Sequence, residues 1–183
     1  MAKLFNEINE NLKSFLEAQK IFFVGTAADE GRVNVSPKGM DSLRVINSTK
    51  IVWLNLTGSG NETAAHLLQN TRMTIMFCSF EEKPMILRLY GNATIFHPKN
   101  KSFEKYIGLF PKIAGARQII EMNIDLVQTS CGFAVPFMEF KNERTQLKSW
   151  AEQKGEKKIE EYWQEKNTVS IDDFETGIMK HKG

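Results

Sequence analysis

Between about Lys3 and Gln19, apolar residues fall at Leu4, Ile8, Leu12, Phe15 and Leu16, with Glu and Lys on the opposite face. That spacing predicts an amphipathic helix. The period then changes. Ile21 to Ala28 is dense in Phe, Val and Ile and ends at Asp29-Glu30-Gly31, a turn signal. Arg32 to Ser36 alternates strictly, with Val33 and Val35 on one side and Arg32, Asn34 and Ser36 on the other. Short strands follow near Leu43–Ile46 and Ile51–Thr57. Ser59-Gly60-Asn61-Glu62 fits a capping box, with Ser59 as N-cap and Glu62 reaching back, and opens a helix whose apolar side is Ala64, Ala65, Leu67 and Leu68.

Arg72 to Phe80 is apolar on both faces, as a central strand would be. Pro84 opens a long strand through Phe96, a short helix follows around Ser102–Gly108, and Ile119 to Gln128 reads as the last strand. From Arg144 the pattern is helical again. Leu147, Trp150 and Ala151 make one stripe, and Ile159, Tyr162 and Trp163 make another across the charged join Lys154–Lys158. One helix, about six strands with a helix inserted, and a helical tail describe an α+β chain or a β-barrel with helical additions. The domain boundary falls at 143/144, giving a barrel domain over 1–143 and a helical extension over 144–183.

Composition narrows the function. The 183 residues are 42% hydrophobic and 25% charged, ordinary for a folded soluble domain. Twenty-four basic against 22 acidic residues leave a formal charge of +2, which gives no electrostatic case for nucleic acid. Cys78 and Cys131 form no C-x-x-C pair, and nothing else suggests a secreted scaffold. The N-terminus carries acidic and amide residues where a signal peptide needs an apolar run, and no stretch approaches a membrane span. The expectation is a cytoplasmic protein that binds neither nucleic acid nor membrane.

Three places carry candidate chemistry. Asn55-Leu56-Thr57-Gly58-Ser59-Gly60-Asn61-Glu62-Thr63 runs from a strand through a glycine turn into a helix N-terminus. Free N–H groups and the helix dipole there favour an anion, although a capped helix after a tight turn explains the same residues. It is neither a Walker A loop nor G-x-G-x-x-G. Ser36 and Lys38 offer a hydroxyl and a cation at a strand end, or simply a solvated lysine. Arg88 shares a strand face with Ile86 and Tyr90, so its head must reach solvent, a carboxylate or a phosphate. His66, His97 and His181 are scattered without cysteines at ligand spacing, so no metal site is expected, and no G-x-S-x-G elbow is present.

Taken in order, these motifs resemble the pyridoxamine 5′-phosphate oxidase-related family of FMN-binding split barrels. The resemblance runs through Gly31–Gly39, Thr57–Leu67, Met76–Phe80, Ile86–Gly91 and Gln128–Pro136, covering roughly residues 10–140. It implies a mainly β, six-stranded split barrel working as a homodimer, with FMN as cofactor and a small-molecule redox substrate. Carried over by motif, Ser36 and Lys38 would line the flavin. Thr57, Ser59, Asn61 and Thr63 would hold phosphate or ribityl oxygens, with Glu62 capping the helix or meeting the ribityl chain, and Asn55 would also belong to the cofactor site. Arg88 would be a candidate for phosphate charge, and Cys131, Gly132 and Phe133 would lie near the ring edge or dimer seam.

Two departures stand out. Where the oxidase has a basic pair, this chain has Glu62-Thr63, and Ser149–Gly183 has no counterpart to the oxidase's C-terminal arginine-bearing strand. Asp172-Asp173 would repel a second phosphate, so the chain is expected to be a poor pyridoxamine 5′-phosphate oxidase. A flavin-dependent oxidoreductase of unassigned substrate is the leading function, with no catalytic residue assigned. A non-catalytic FMN carrier is the alternative, and a haem-binding barrel ranks last for want of an axial ligand.

Overall fold

The computed structural model describes residues 2–180. Most of them belong to one antiparallel sheet with four helices around it. The strands are β1 (Lys3–Phe5), β2 (Phe22–Thr26), β3 (Asn34–Lys38), β4 (Leu43–Asn47), β5 (Lys50–Leu56), β6 (Arg72–Cys78), β7 (Ile86–Phe96) and β8 (Ala116–Ser130). The helices are α1 (Glu10–Ala18), α2 (Glu62–Gln69), α3 (Lys101–Ile107) and α4 (Gln146–Lys166).

The sheet has eight strands in the order β3-β2-β6-β7-β8-β5-β4, with β1 pairing with β8. The expected count of six is too low, and backbone pairing does not close the barrel, because β3 and β4 end the path. The first element also differs from its sequence reading. Lys3–Phe5 is a strand, with Leu4 opposite Gln128, and the helix starts only at Glu10, where the Asn9 side chain accepts from the Leu12 N–H at 3.0 Å. Local spacing cannot reveal a pairing with a strand more than a hundred residues away.

Alternation on the central strands fills the core. Val24, Ile75, Phe77, Leu87, Leu89 and Val127 point inward with Trp53 and Met122, and Leu12 and Leu16 of α1 close over them. β5 is buried on both faces: Ile51 and Trp53 join that core, while Val52 and Leu54 pack outward against Tyr106 of α3 and Phe110 just after it. At Gly91 the β7–β8 pairing shifts register, and a Cβ there would lie 2.0 Å from the Asn123 carbonyl, so only glycine fits.

The charged join in the C-terminal extension is a real break. Gly155 has φ 69° and ψ 165°, left-handed backbone that splits α4 into two helical segments. Ala151 and Ile159 are its buried residues. The second segment ends beside the glycine turn that precedes α2, with Trp163 Nε1 donating to Thr57 Oγ1 at 2.8 Å. No helix among the described residues is long and apolar enough to cross a membrane.

Candidate functional site

β3 carries its polar side chains inward. Val33 and Val35 are 71% and 66% exposed, whereas Asn34, Ser36 and Lys38 are half-buried and line a cleft of about 350 Å³. Across it stand Asn55 from β5 and the turn Gly58–Asn61 leading into α2, with Glu62 and Thr63 at the helix start. Seven of the sequence-predicted residues therefore share one cavity: Ser36, Lys38, Asn55, Ser59, Asn61, Glu62 and Thr63.

The helix start differs from the expected capping box. The N-cap is Asn61 rather than Ser59, and no side chain caps the first turn. Glu62 does not reach back; its carboxylate accepts from the Ile171 N–H at 3.1 Å. Two glycines before Asn61 leave Ser59 exposed on the turn, too far out to cap. The N-terminal N–H groups of α2, with the positive end of its dipole, thus go without a side-chain acceptor at the cleft wall.

Arg117 completes the site and was not among the predicted residues. Asn55 pairs with Gln118 but Leu56 pairs with Ala116, so Arg117 is the extra residue of a bulge in β8. Bulges re-aim side chains, and this one places a 3% exposed guanidinium against the cleft. Its Nη1 donates to the Gly60 carbonyl at 2.9 Å and to Asn167 Oδ1 at 2.7 Å. A lone arginine beside the apolar run Ile119-Ile120 was the available signal, but the strand begins earlier than its apolar stretch suggests.

Two cations thus face one concavity, and among the described residues no carboxylate is ion-paired with either. Burial and the nearby Arg117 charge pull the Lys38 ammonium down to about 8. Burial likewise lowers Arg117 to about 10. Lys38 Nζ sits 5.3 Å from the centre of the Trp53 ring, which accepts part of its charge. Arg117 Nε, Ser36 Oγ and Asn61 Oδ1 are buried with no hydrogen-bond partner in the protein. Buried polar atoms are normally satisfied, so these three remain open to a hydrogen-bonding ligand in the cleft. The donor set fits an anion joined to a polyhydroxyl chain.

The remaining predicted residues lie elsewhere. Thr57 is buried behind the cleft, donating to the Gly115 carbonyl at 2.8 Å and accepting from Trp163. Arg88 on β7 reaches Ser130 Oγ at 3.2 Å. Cys131 is exposed and Gly132 buried, where β8 gives way to the loop before α4. None of the four lines the cleft. Ile171, on the C-terminal segment, does line it, and no local pattern announces that.

The family model for pyridoxamine 5′-phosphate oxidase matches residues 8–131. The pyridoxamine 5′-phosphate oxidase family protein ustO of Aspergillus flavus is 38% identical over 145 residues, which are 76% of this chain and 58% of that protein. The chain thus spans little more than half the length of that curated relative. Among solved structures, a single-residue variant of HupZ from Group A Streptococcus superposes with a TM-score of 0.55 at 18% identity, covering 67% of this chain and 99% of that one. A Lactobacillus delbrueckii protein bearing a pyridoxamine 5′-phosphate oxidase name gives 0.54 at 16% identity, covering 67% and 94%. These two likenesses concern the fold alone. The matched segment contains β3, the turn before α2 and the Arg117 bulge, and by it the chain belongs to the pyridoxamine 5′-phosphate oxidase family.

Proposed function

We propose that this protein is an FMN-binding flavoprotein, acting as a cytoplasmic homodimeric oxidoreductase on a small-molecule redox substrate. The carrying observation is the pair Lys38 and Arg117, turned onto the N-terminus of α2 without a carboxylate ion-pair partner among the described residues. A flavin mononucleotide has one terminal phosphate and a hydroxylated chain. Lys38, Arg117 and the α2 N–H groups would take the phosphate, and Ser36, Asn55, Asn61 and Thr63 the hydroxyls. Bound FMN supplies electron transfer to and from the substrate, while the protein sets orientation and access.

The cleft is open and covers only part of a flavin, which supports a second copy completing the site. Exposed Val33 and Val35 on the outer side of β3 offer apolar surface for it. The seat holds the charge for one phosphate. The acidic residue lining the cleft is Glu62, and Asp172, expected from the sequence to repel a second phosphate, is instead ion-paired with Arg32; among the described residues no second basic cluster lines the cleft. Pyridoxamine 5′-phosphate, which brings a second phosphate, is accordingly a poor substrate.

Purified protein should be yellow and release FMN, not FAD, on denaturation. A folded preparation that neither carries nor takes up FMN contradicts the reading. Light scattering that shows only monomer with FMN bound contradicts the dimer. Stopped-flow mixing with NADH, NADPH or a reduced deazaflavin tests turnover: rapid bleaching of the flavin supports the oxidoreductase, and inertness to all three supports a carrier.

A further inference from the structure

The segment after α4 lies outside the residues matched by the family model, yet it ends against the cleft. Asn167, the first residue past the helix, is fully buried. Its Oδ1 accepts from Arg117 Nη1 at 2.7 Å, and its Nδ2 donates to the Gly58 carbonyl at 3.1 Å. Its backbone carbonyl accepts from Asn61 Nδ2 at 3.3 Å and from Thr176 Oγ1. The chain then doubles back through Ser170 and Phe174, and Asp172 pairs with Arg32 on the β2–β3 connection. One buried asparagine therefore touches the guanidinium and the glycine turn through its side-chain amide, and the N-cap of α2 through its backbone carbonyl.

We infer that the C-terminal segment Asn167–Thr176 is a built part of the anion seat, and that Asn167 is the positioning residue that gives the cleft its preference for a ligand ending in a phosphomonoester. This rests on the flavin reading of the cleft. A buried arginine needs an acceptor to fix its plane, and a carboxylate in that role would neutralise it. A neutral amide oxygen orients the guanidinium and leaves its charge for the ligand. The same amide, through Nδ2, engages the Gly58 carbonyl, and Arg117 engages that of Gly60. Unengaged, either carbonyl could turn its negative end toward a phosphate. Asn167 thus acts through Arg117 and the turn, without reaching the ligand itself.

Titration of the full chain with FMN and with riboflavin separates this role from simple support of the fold, because the two flavins differ only in the phosphate. Asn167→Asp keeps the acceptor and the shape, removes the donor to Gly58 and adds a charge against Arg117. FMN affinity should fall about tenfold or more, the scale of a lost charge-assisted contact, while riboflavin affinity stays within about twofold. Asn167→Ser, which introduces no charge, should lose part of the FMN preference and serves if the aspartate variant does not fold. Equal weakening of both flavins, or no change in either, overturns the inference while the flavin reading stands. A wild-type protein that binds neither flavin overturns both.

Discussion

Arg44 and Arg117 are both drawn partly out of water, and the protein treats them in opposite ways. Arg44 of β4 meets both carboxylate oxygens of Asp41 at 2.7 and 2.8 Å, donates to the Leu109 carbonyl at 2.9 Å, and lies over the Phe110 ring. Every part of it is used within the fold. Arg117 is more deeply buried, receives only neutral acceptors, and keeps Nε without a partner. Burying a charge without a counter-charge is costly, so such an arrangement points to a counter-ion from outside. The first arginine ties the segment after α3 to the sheet; the second keeps its charge for the anion proposed above.

The sharpest way to break this comparison is to remove both cations in turn. Arg117→Met fills the same volume with an apolar chain, and should weaken FMN by about 2–3 kcal/mol, a 30- to 150-fold rise in Kd, with riboflavin much less affected. Arg44→Met should leave both flavins bound as before and lower stability by about 1 kcal/mol, seen as a lower Tm. If Arg117→Met spares FMN, or Arg44→Met abolishes its binding, the distinction between the two sites is wrong.

A pH titration sharpens it further. In the ligand-free protein Lys38 titrates near 8, lowered by burial and by Arg117. Below that pH it meets a phosphate as an ammonium; above it, as a neutral amine. The charged form is disfavoured in the free fold, so that penalty is present below the folded value and relieved as pH rises through it. A bound phosphate offsets the penalty. FMN affinity should therefore fall by roughly tenfold between pH 7 and 9.5, and the rise in Tm caused by FMN should shrink over the same range. Lys38→Met should flatten the dependence, and riboflavin should show none.

These contrasts also explain what the sequence could reveal. The strand alternation of Arg32–Ser36, the glycine turn before α2 and the doubly apolar strand Arg72–Phe80 are local patterns, and they located most of the sheet and seven of the cleft residues. β1 escaped because three residues have no period of their own until β8 pairs with them. Arg117 escaped because its direction is set by a bulge, a property of two strands rather than one. Asn167 and Ile171 lie more than a hundred residues from the turn and helix they touch. Thr57 carries the right chemistry in the right motif, yet Trp163 and Gly115 engage its hydroxyl. Which hydroxyls remain free for a ligand is decided by packing.

The smallest effect belongs to the side of the molecule away from the cleft, where the network is closed within the protein. Tyr106 of α3 donates its hydroxyl proton to Glu121 of β8, which also pairs with Lys50 at 3.2 Å. That hydrogen bond, then burial and the carboxylate charge, push the phenol up to about 12. Because the folded value lies above the unfolded one near 10, the contribution is complete below pH 10 and is lost as pH rises toward 12. Tyr106→Phe removes it, leaving Glu121 with Lys50 alone, and should cost about 1 kcal/mol of stability at neutral pH. The variant's melting temperature should sit about 2–4 °C below that of the wild type, and the gap should narrow above pH 10. FMN and riboflavin affinities should not move, since no group of this network lines the cleft. A change in FMN affinity without one in stability would mean that the α3 side and the cleft are coupled, and that Arg44 and Arg117 belong to one system.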